Sequence, residues 1–134
     1  MEKIIATELS NADLLGKNDP IIYFRYGDQK DTQKTKPIMD AGEIAIWDEE
    51  AERIDVDFEV SKTQLMEEPL HIEVYDYNVT GDTLIGTGSI NSCKNLLASM
   101  GETKEMDLCT LMDTKDRVQG HVKLFMSLHD RRYR

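Results

Sequence analysis

Short runs in which apolar and charged residues alternate, repeated along the whole chain, limit most strongly what this sequence can become. Ile54, Val56, Phe58 and Val60 alternate with Arg53, Asp55, Asp57 and Glu59. Leu70, Ile72 and Val74 alternate in the same way with His71, Glu73 and Tyr75. A period of two puts one face of each run in an interior and the other in water, which is the mark of a half-buried strand. Further strands are expected at Lys3–Leu9, Ile21–Tyr26, Thr35–Met39, Thr83–Ile90 and His121–Leu128, with Pro37 placing the third at an edge or a bulge. Only Lys94–Met100 and Trp47–Arg53 have the pattern of short helices. Six to eight short strands separated by Gly-, Asp- and Asn-containing turns favour an all-β chain, an antiparallel Greek-key β-sandwich.

The chain has 134 residues, no internal repeat and no linker-like stretch, so one domain is expected. Its formal net charge of −10 excludes a general nucleic-acid binder, which needs clustered Lys and Arg. The same charge opposes unaided adsorption to anionic lipid. The N-terminal MEKIIATELS has no apolar signal core, and no segment approaches the roughly 18 apolar residues of a membrane span. Cys93 and Cys109 are too few for a disulfide framework and are expected to be reduced thiols in a cytoplasmic protein. Neither has zinc-ligand spacing with the other or with a histidine. His71 and His121 fall at polar-face strand positions and His129 just after a strand. No Gly-rich phosphate loop or nucleophile elbow is present, so the chain is expected not to be an enzyme and to take no small-molecule substrate.

The stretch DYNVTGDTLIG, Asp76–Gly86, places oxygen side chains at Asp76, Asn78, Thr80 and Asp82 around Gly81. It is not an EF-hand: the twelfth position, which needs a bidentate glutamate, is Thr87, and the preceding LHIEVY has strand periodicity. The loop therefore joins two strands. A second acidic turn, NADLLGKNDP, spaces Asp13 and Asp19 six apart, as Asp76 and Asp82 are spaced. Loops at one end of a sandwich cluster in space, and two facing acidic loops supply the hard oxygens that calcium prefers. Asx residues also dominate ordinary turns, which is the simpler explanation of either loop taken alone.

The ordered set ADLLGKNDPIIYF, TQKTKPIM, AIWDEE, LHIEVYDYNVTGDTLIGTGSI and VQGHVKLFMSL resembles a C2 domain over nearly the whole chain. The resemblance implies an eight-stranded sandwich of type II topology over residues 1–128, followed by a basic tail, 129–134. It also implies one to three Ca²⁺ ions held between the first and third loops. Asp13 and Asp19 match the aspartates of loop 1, and Asp76 the first of loop 3. Asn78 stands where a second aspartate is usual. Asp82 matches the last, with Thr83 as the alternative because this loop is about a residue short.

Two functions follow from the resemblance. The first is a calcium-dependent module that targets anionic phospholipid membranes, cytoplasmic until calcium makes it a peripheral membrane protein. Leu14, Leu15 and Val79 would be its membrane contacts. Arg25, Lys34 and Lys36 offer a basic face for a phosphoinositide headgroup, or simply a solvated edge. The second is a calcium-independent scaffold that binds another protein. It is favoured by Asn78, the shortened loop and the acidic runs Asp48-Glu49-Glu50 and Glu67-Glu68.

Overall fold

The computed structural model describes residues 1–11, 17–48 and 54–130. Among these are nine strands: β1 (Lys3–Thr7), β2 (Pro20–Tyr26), β3 (Gln33–Lys34), β4 (Ala45–Trp47), β5 (Leu70–Asp76), β6 (Thr83–Ile90), β7 (Lys104–Glu105), β8 (Cys109–Met112) and β9 (Val118–Met126). They form one curled antiparallel sheet in the order β3-β2-β5-β6-β8-β9-β1-β4, with β7 added beside β9. The last long strand lies against the first, Lys3 opposite Phe125 and Thr7 opposite His121. Eight strands were expected and nine are described, two of them, β3 and β7, only two-residue pairings.

The period of two explains the interior. Ile22, Phe24 and Tyr26 of β2 and Leu70, Ile72 and Val74 of β5 point inward from one half of the sheet. Ile4, Ala6, Leu111, Val122 and Leu124 face them from the other, and all are buried in one apolar cluster. The two halves join where β6 meets β8 through the register pair Thr87–Met112. There the backbones pass so closely that a Cβ on Gly88 would stand 2.5 Å from Cys109 Sγ and 2.6 Å from the Thr110 carbonyl oxygen. Backbone cannot yield as a flexible side-chain tip does. Gly88→Ala is therefore expected to force the halves apart and destabilise by about 1–3 kcal/mol. Chemical denaturation should show this loss, while the neighbouring exposed Ser89→Ala leaves stability unchanged; equal stabilities would refute the close approach.

The strand expected at Arg53–Val60 is not one. Residues 54–60 lie outside any ladder, although their burial still alternates, with Val56 buried and Asp55, Asp57 and Glu59 exposed. Side chains supply the missing partners: the Gln33 amide brackets the backbone N–H and C=O of Asp57, and Gln29 Nε2 donates to the Glu59 carbonyl. Periodicity reports which face is apolar and not whether a backbone lies alongside to pair with. Thr35–Met39 is also not a strand. Thr35 Oγ1 accepts the Ile22 N–H in place of a carbonyl, and Pro37 has no N–H to donate. Trp47 closes β4 and does not open a helix, and residues 49–53 lie outside the described residues. The expected helix near Lys94 is a 3₁₀ turn, Lys94–Ser99. The helix α1, Lys62–Glu67, was not anticipated, although its capping box is legible: Ser61 caps the Gln64 N–H and Gln64 caps the Ser61 N–H.

Candidate functional site

At one end of the sandwich the chain leaving β5 meets the chain entering β2. Inward alternation continues from Leu70, Ile72 and Val74 to Asp76, so this carboxylate is buried, 1% exposed. Its Oδ1 accepts the Asp19 N–H at 2.8 Å, and the Asp19 carbonyl accepts the Tyr77 N–H at 2.8 Å. Asp19 Oδ1 in turn accepts the Asp40 N–H at 2.6 Å. Three segments distant in sequence are thereby joined around Asp19. Asn18, also buried, braces the junction from beneath: its Nδ2 donates to the Ser10 carbonyl, and its own carbonyl accepts the N–H groups of Ala41 and Gly42.

The third loop is held from within. Asn78 Nδ2 donates to the Asp76 carbonyl, and the Gly81 N–H, on a residue with φ of 136°, donates to the Asn78 carbonyl. Only glycine takes that conformation readily. Asp82 closes the loop, its Oδ1 accepting the Asn78 N–H at 3.2 Å and its Oδ2 the Tyr23 hydroxyl at 3.0 Å. Tyr23 belongs to the outward face of β2, where its ring meets Tyr75 edge-on at 5.2 Å. Tyr75 donates to Glu73 Oε2 at 2.6 Å. That bond, with burial and the Glu73 charge, pushes the Tyr75 phenol up to about 12. Burial, followed by the bond and charge of Asp82, raises Tyr23 as well.

The carboxylates expected to act together are bonded to separate donors: the Asp76 side chain accepts the Asp19 N–H, the Asp19 side chain the Asp40 N–H, and the Asp82 side chain the Asn78 N–H and the Tyr23 hydroxyl. Among the described residues, no three of His, Cys, Asp and Glu come together so as to hold an ion. The donor chemistry, carboxylate and amide oxygens, suits a hard cation. Asp13, Leu14 and Leu15 lie outside the described residues. Val79 stands at the loop crest, 94% exposed. Met39, 62% exposed and next to Asp40, belongs to the same end and was missed. Its signal was the turn PIMDAG, which sets a large apolar residue between Pro and Gly.

On the outward face, Lys34 lies opposite Tyr23 in register, with Arg25 two residues farther along β2. Arg25 Nη1 donates to the Gly27 carbonyl, and Lys36 is exposed with its carbonyl bound to Trp47 Nε1. His71 and His121 are half-buried rather than fully solvent-facing. His121 contacts Glu8 through Nε2 and Thr110 through Nδ1, each at 3.3 Å.

A family model described as C2 domain matches residues 2–108. No curated protein matches the chain by sequence. Among solved structures, human GIVD cytosolic phospholipase A2, in complex with methyl gamma-linolenyl fluorophosphonate and terbium chloride, superposes with a TM-score of 0.59 at 15% identity. The match covers 96% of this chain and 17% of the phospholipase, so the chain spans a small part of that enzyme's length. A C2 domain of plant extended synaptotagmin 1 superposes with a TM-score of 0.57 at 20% identity, covering 96% of this chain and 95% of that one. CC2D1B, described as coordinating ESCRT-III activity during mitotic reformation of the nuclear envelope, gives 0.57 at 19% identity, covering 94% and 54%. Similarity at these identities speaks to the fold. With a family match over most of its length and a curled antiparallel sandwich to accompany it, the chain belongs to the C2 domain family.

Proposed function

We propose that this domain is a calcium-responsive membrane-targeting module, cytoplasmic and recruited as a peripheral protein to anionic phospholipid through the end that carries Asp19, Asp76 and Val79. The observation that carries this reading is the bond from the Asp19 N–H to the Asp76 carboxylate, which brings the two acidic loops together at the end where Val79 is almost fully exposed. Asp13, Asn78 and Asp82 would complete the ligand set for one to three ions. Calcium, when bound, would cancel the local negative charge and offer coordination positions to phosphate oxygens. Without it the carboxylates repel an anionic surface, in keeping with the net charge of −10. Val79 and Met39, with Leu14 and Leu15, would contribute apolar contact, each side chain fully withdrawn from water stabilising by roughly 1.5–3 kcal/mol. Lys34, Lys36 and Arg25 would meet headgroups from the outward face. No helix among the described residues is long and apolar enough to cross a membrane.

A calcium-independent protein-binding module is the second reading. The Asp82 carboxylate, already bonded to the Asn78 N–H and the Tyr23 hydroxyl, favours it. Cosedimentation with phosphatidylserine vesicles, in calcium and in chelator, decides between them. The protein is expected to pellet in calcium and to stay in solution in chelator. Equal partition in both, with no heat of calcium binding, would discard the membrane switch and leave the protein-binding reading.

A further inference from the structure

The end of the sandwich opposite Asp76 carries an open groove. Tyr26, Leu70 and Ile90 lie in register there, at the far ends of the strands that begin or finish at Pro20, Asp76 and Thr83. The groove encloses about 570 Å³ among Phe58, Val60, Leu65, Leu97, Met100 and Leu128, a volume ordinary for a binding site. Phe58, Val60, Leu97 and Leu128 pack against the core yet stay partly uncovered, and Met100 is 50% exposed. One wall belongs to residues 54–60, which Gln29 and Gln33 side chains hold in place of a ladder. Such a wall yields more readily than a strand within a sheet. Behind it a further space of about 60 Å³ lies against Tyr26 and Cys93, bounded by the same Phe58, Val60, Leu65 and Leu128. A side chain entering the groove therefore has room to go deeper if Phe58 turns aside.

The rim selects among occupants. Glu59 and Asp130 line the groove, with Asp57 exposed on the same wall, against the Lys62 ammonium. The net charge of −10 adds to that field. An acidic amphiphile is disfavoured there, and a second copy of this chain would bring the same carboxylates to face their own kind. A segment with apolar side chains on one face and Lys or Arg around them meets both features. Met100 suits such a surface, because the flexible thioether side chain adapts to the shape of an incoming anchor.

We propose that this groove docks a basic amphipathic segment of another protein, its apolar face on Phe58, Val60, Leu97 and Met100 and its cationic flanks toward Asp57, Glu59 and Asp130. This is recognition of a helix in a groove, read as anchors at i, i+3, i+4 and i+7. The groove lies at the end away from the acidic loops, so docking needs neither calcium nor a membrane and leaves that end free. Where the membrane reading also holds, the domain joins a protein to a lipid surface.

The test is fluorescence anisotropy in chelator with a labelled peptide of about fourteen residues, Leu at i, i+3, i+4 and i+7 and Lys between. Two controls accompany it: the same residues shuffled so that the leucines share no face, and the first peptide with Glu for every Lys. The amphipathic Lys peptide is expected to bind the wild type saturably and roughly ten-fold or more tighter than either control. Met100→Gln removes an exposed apolar contact without a change of charge and should weaken binding roughly three- to ten-fold. Glu59→Gln should weaken it too and flatten its dependence on salt. Val79→Gln, at the opposite end, should bind as the wild type does. Equal binding of the shuffled peptide would reduce the attraction to bulk charge and overturn the docking site, as would an unchanged affinity in Met100→Gln. Saturable uptake of cis-parinaric acid without peptide binding would make the groove an acyl-chain site. Self-association weakened by Met100→Gln, again without peptide binding, would make it an interface between copies. Either result replaces the proposed partner. Vesicle binding through the acidic loops stands or falls separately, on its own calcium and chelator arms.

Discussion

Asp76→Asn is expected to keep the fold and lose the calcium response. The side chain is buried, and its Oδ1 accepts the Asp19 N–H; an amide oxygen accepts the same bond, without the added strength of the charge. What the substitution removes is charge, and calcium affinity in oxygen-ligand sites follows the number of charged ligands and the rigidity of the site. Calorimetry should show calcium binding weakened on the order of ten-fold or more. Vesicle cosedimentation in calcium should fall to the level seen in chelator. In chelator the variant should melt close to the wild type, because the amide oxygen keeps an acceptor for the Asp19 N–H. Asp76→Ala separates the two effects. It leaves the Asp19 N–H without its acceptor, and a buried unsatisfied donor costs about 1–3 kcal/mol. A large fall in the melting temperature of Asp76→Asn, or calcium-dependent vesicle binding that survives it, would show Asp76 to be structural.

Trp47→Ala is expected to carry the largest loss of stability in the molecule. Trp47 is fully buried at the end of β4, paired in register with Ile4, and its Nε1 donates to the Lys36 carbonyl at 2.8 Å. It therefore ties the last strand of the sheet path to the segment that follows β3 at the opposite end of that path. Truncation removes the largest fully buried side chain and orphans a carbonyl, a loss of about 3–5 kcal/mol. A domain of this size has about 5–15 kcal/mol in all. Trp47→Phe should lose less, since the ring still fills much of the space while the indole donor is gone. Trp47 is the only tryptophan, so unfolding must be followed by circular dichroism. A loss below about 1 kcal/mol in Trp47→Ala would mean that the two ends of the path do not depend on this contact.

Much of the fold was legible because alternation is a local consequence of strand geometry. β5 and β6 occupy the residues expected of them, Leu70–Asp76 and Thr83–Ile90, since each run shows its inward face directly. Residues 54–60 show the limit of the same rule. Their inward face was identified correctly, but the backbone partner that would make them a strand is replaced by Gln33 and Gln29 side chains. The short helix at Lys62–Glu67 could have been found from its Ser61–Gln64 capping box, which is written in the sequence.

The candidate site divides along the same line. Sequence by itself determined that Asp19 and Asp76 lie at strand ends, that the loop from Asp76 to Asp82 joins two strands, and that Val79 crowns it. Those are matters of period and spacing, which nearest neighbours along the chain decide. Only the tertiary structure decided which donors these carboxylates meet. Asp19 reaches Asp76 because β2 and β5 pair with Pro20 opposite Asp76, and Met39 joins them because the Asp40 N–H closes onto Asp19. Asp82 turns to Tyr23 because a hydroxyl fifty-nine residues away happens to face it across the sheet. Spacing along a chain sets which face a residue takes; the direction of a carboxylate at a loop end depends on the donors that other strands bring to it.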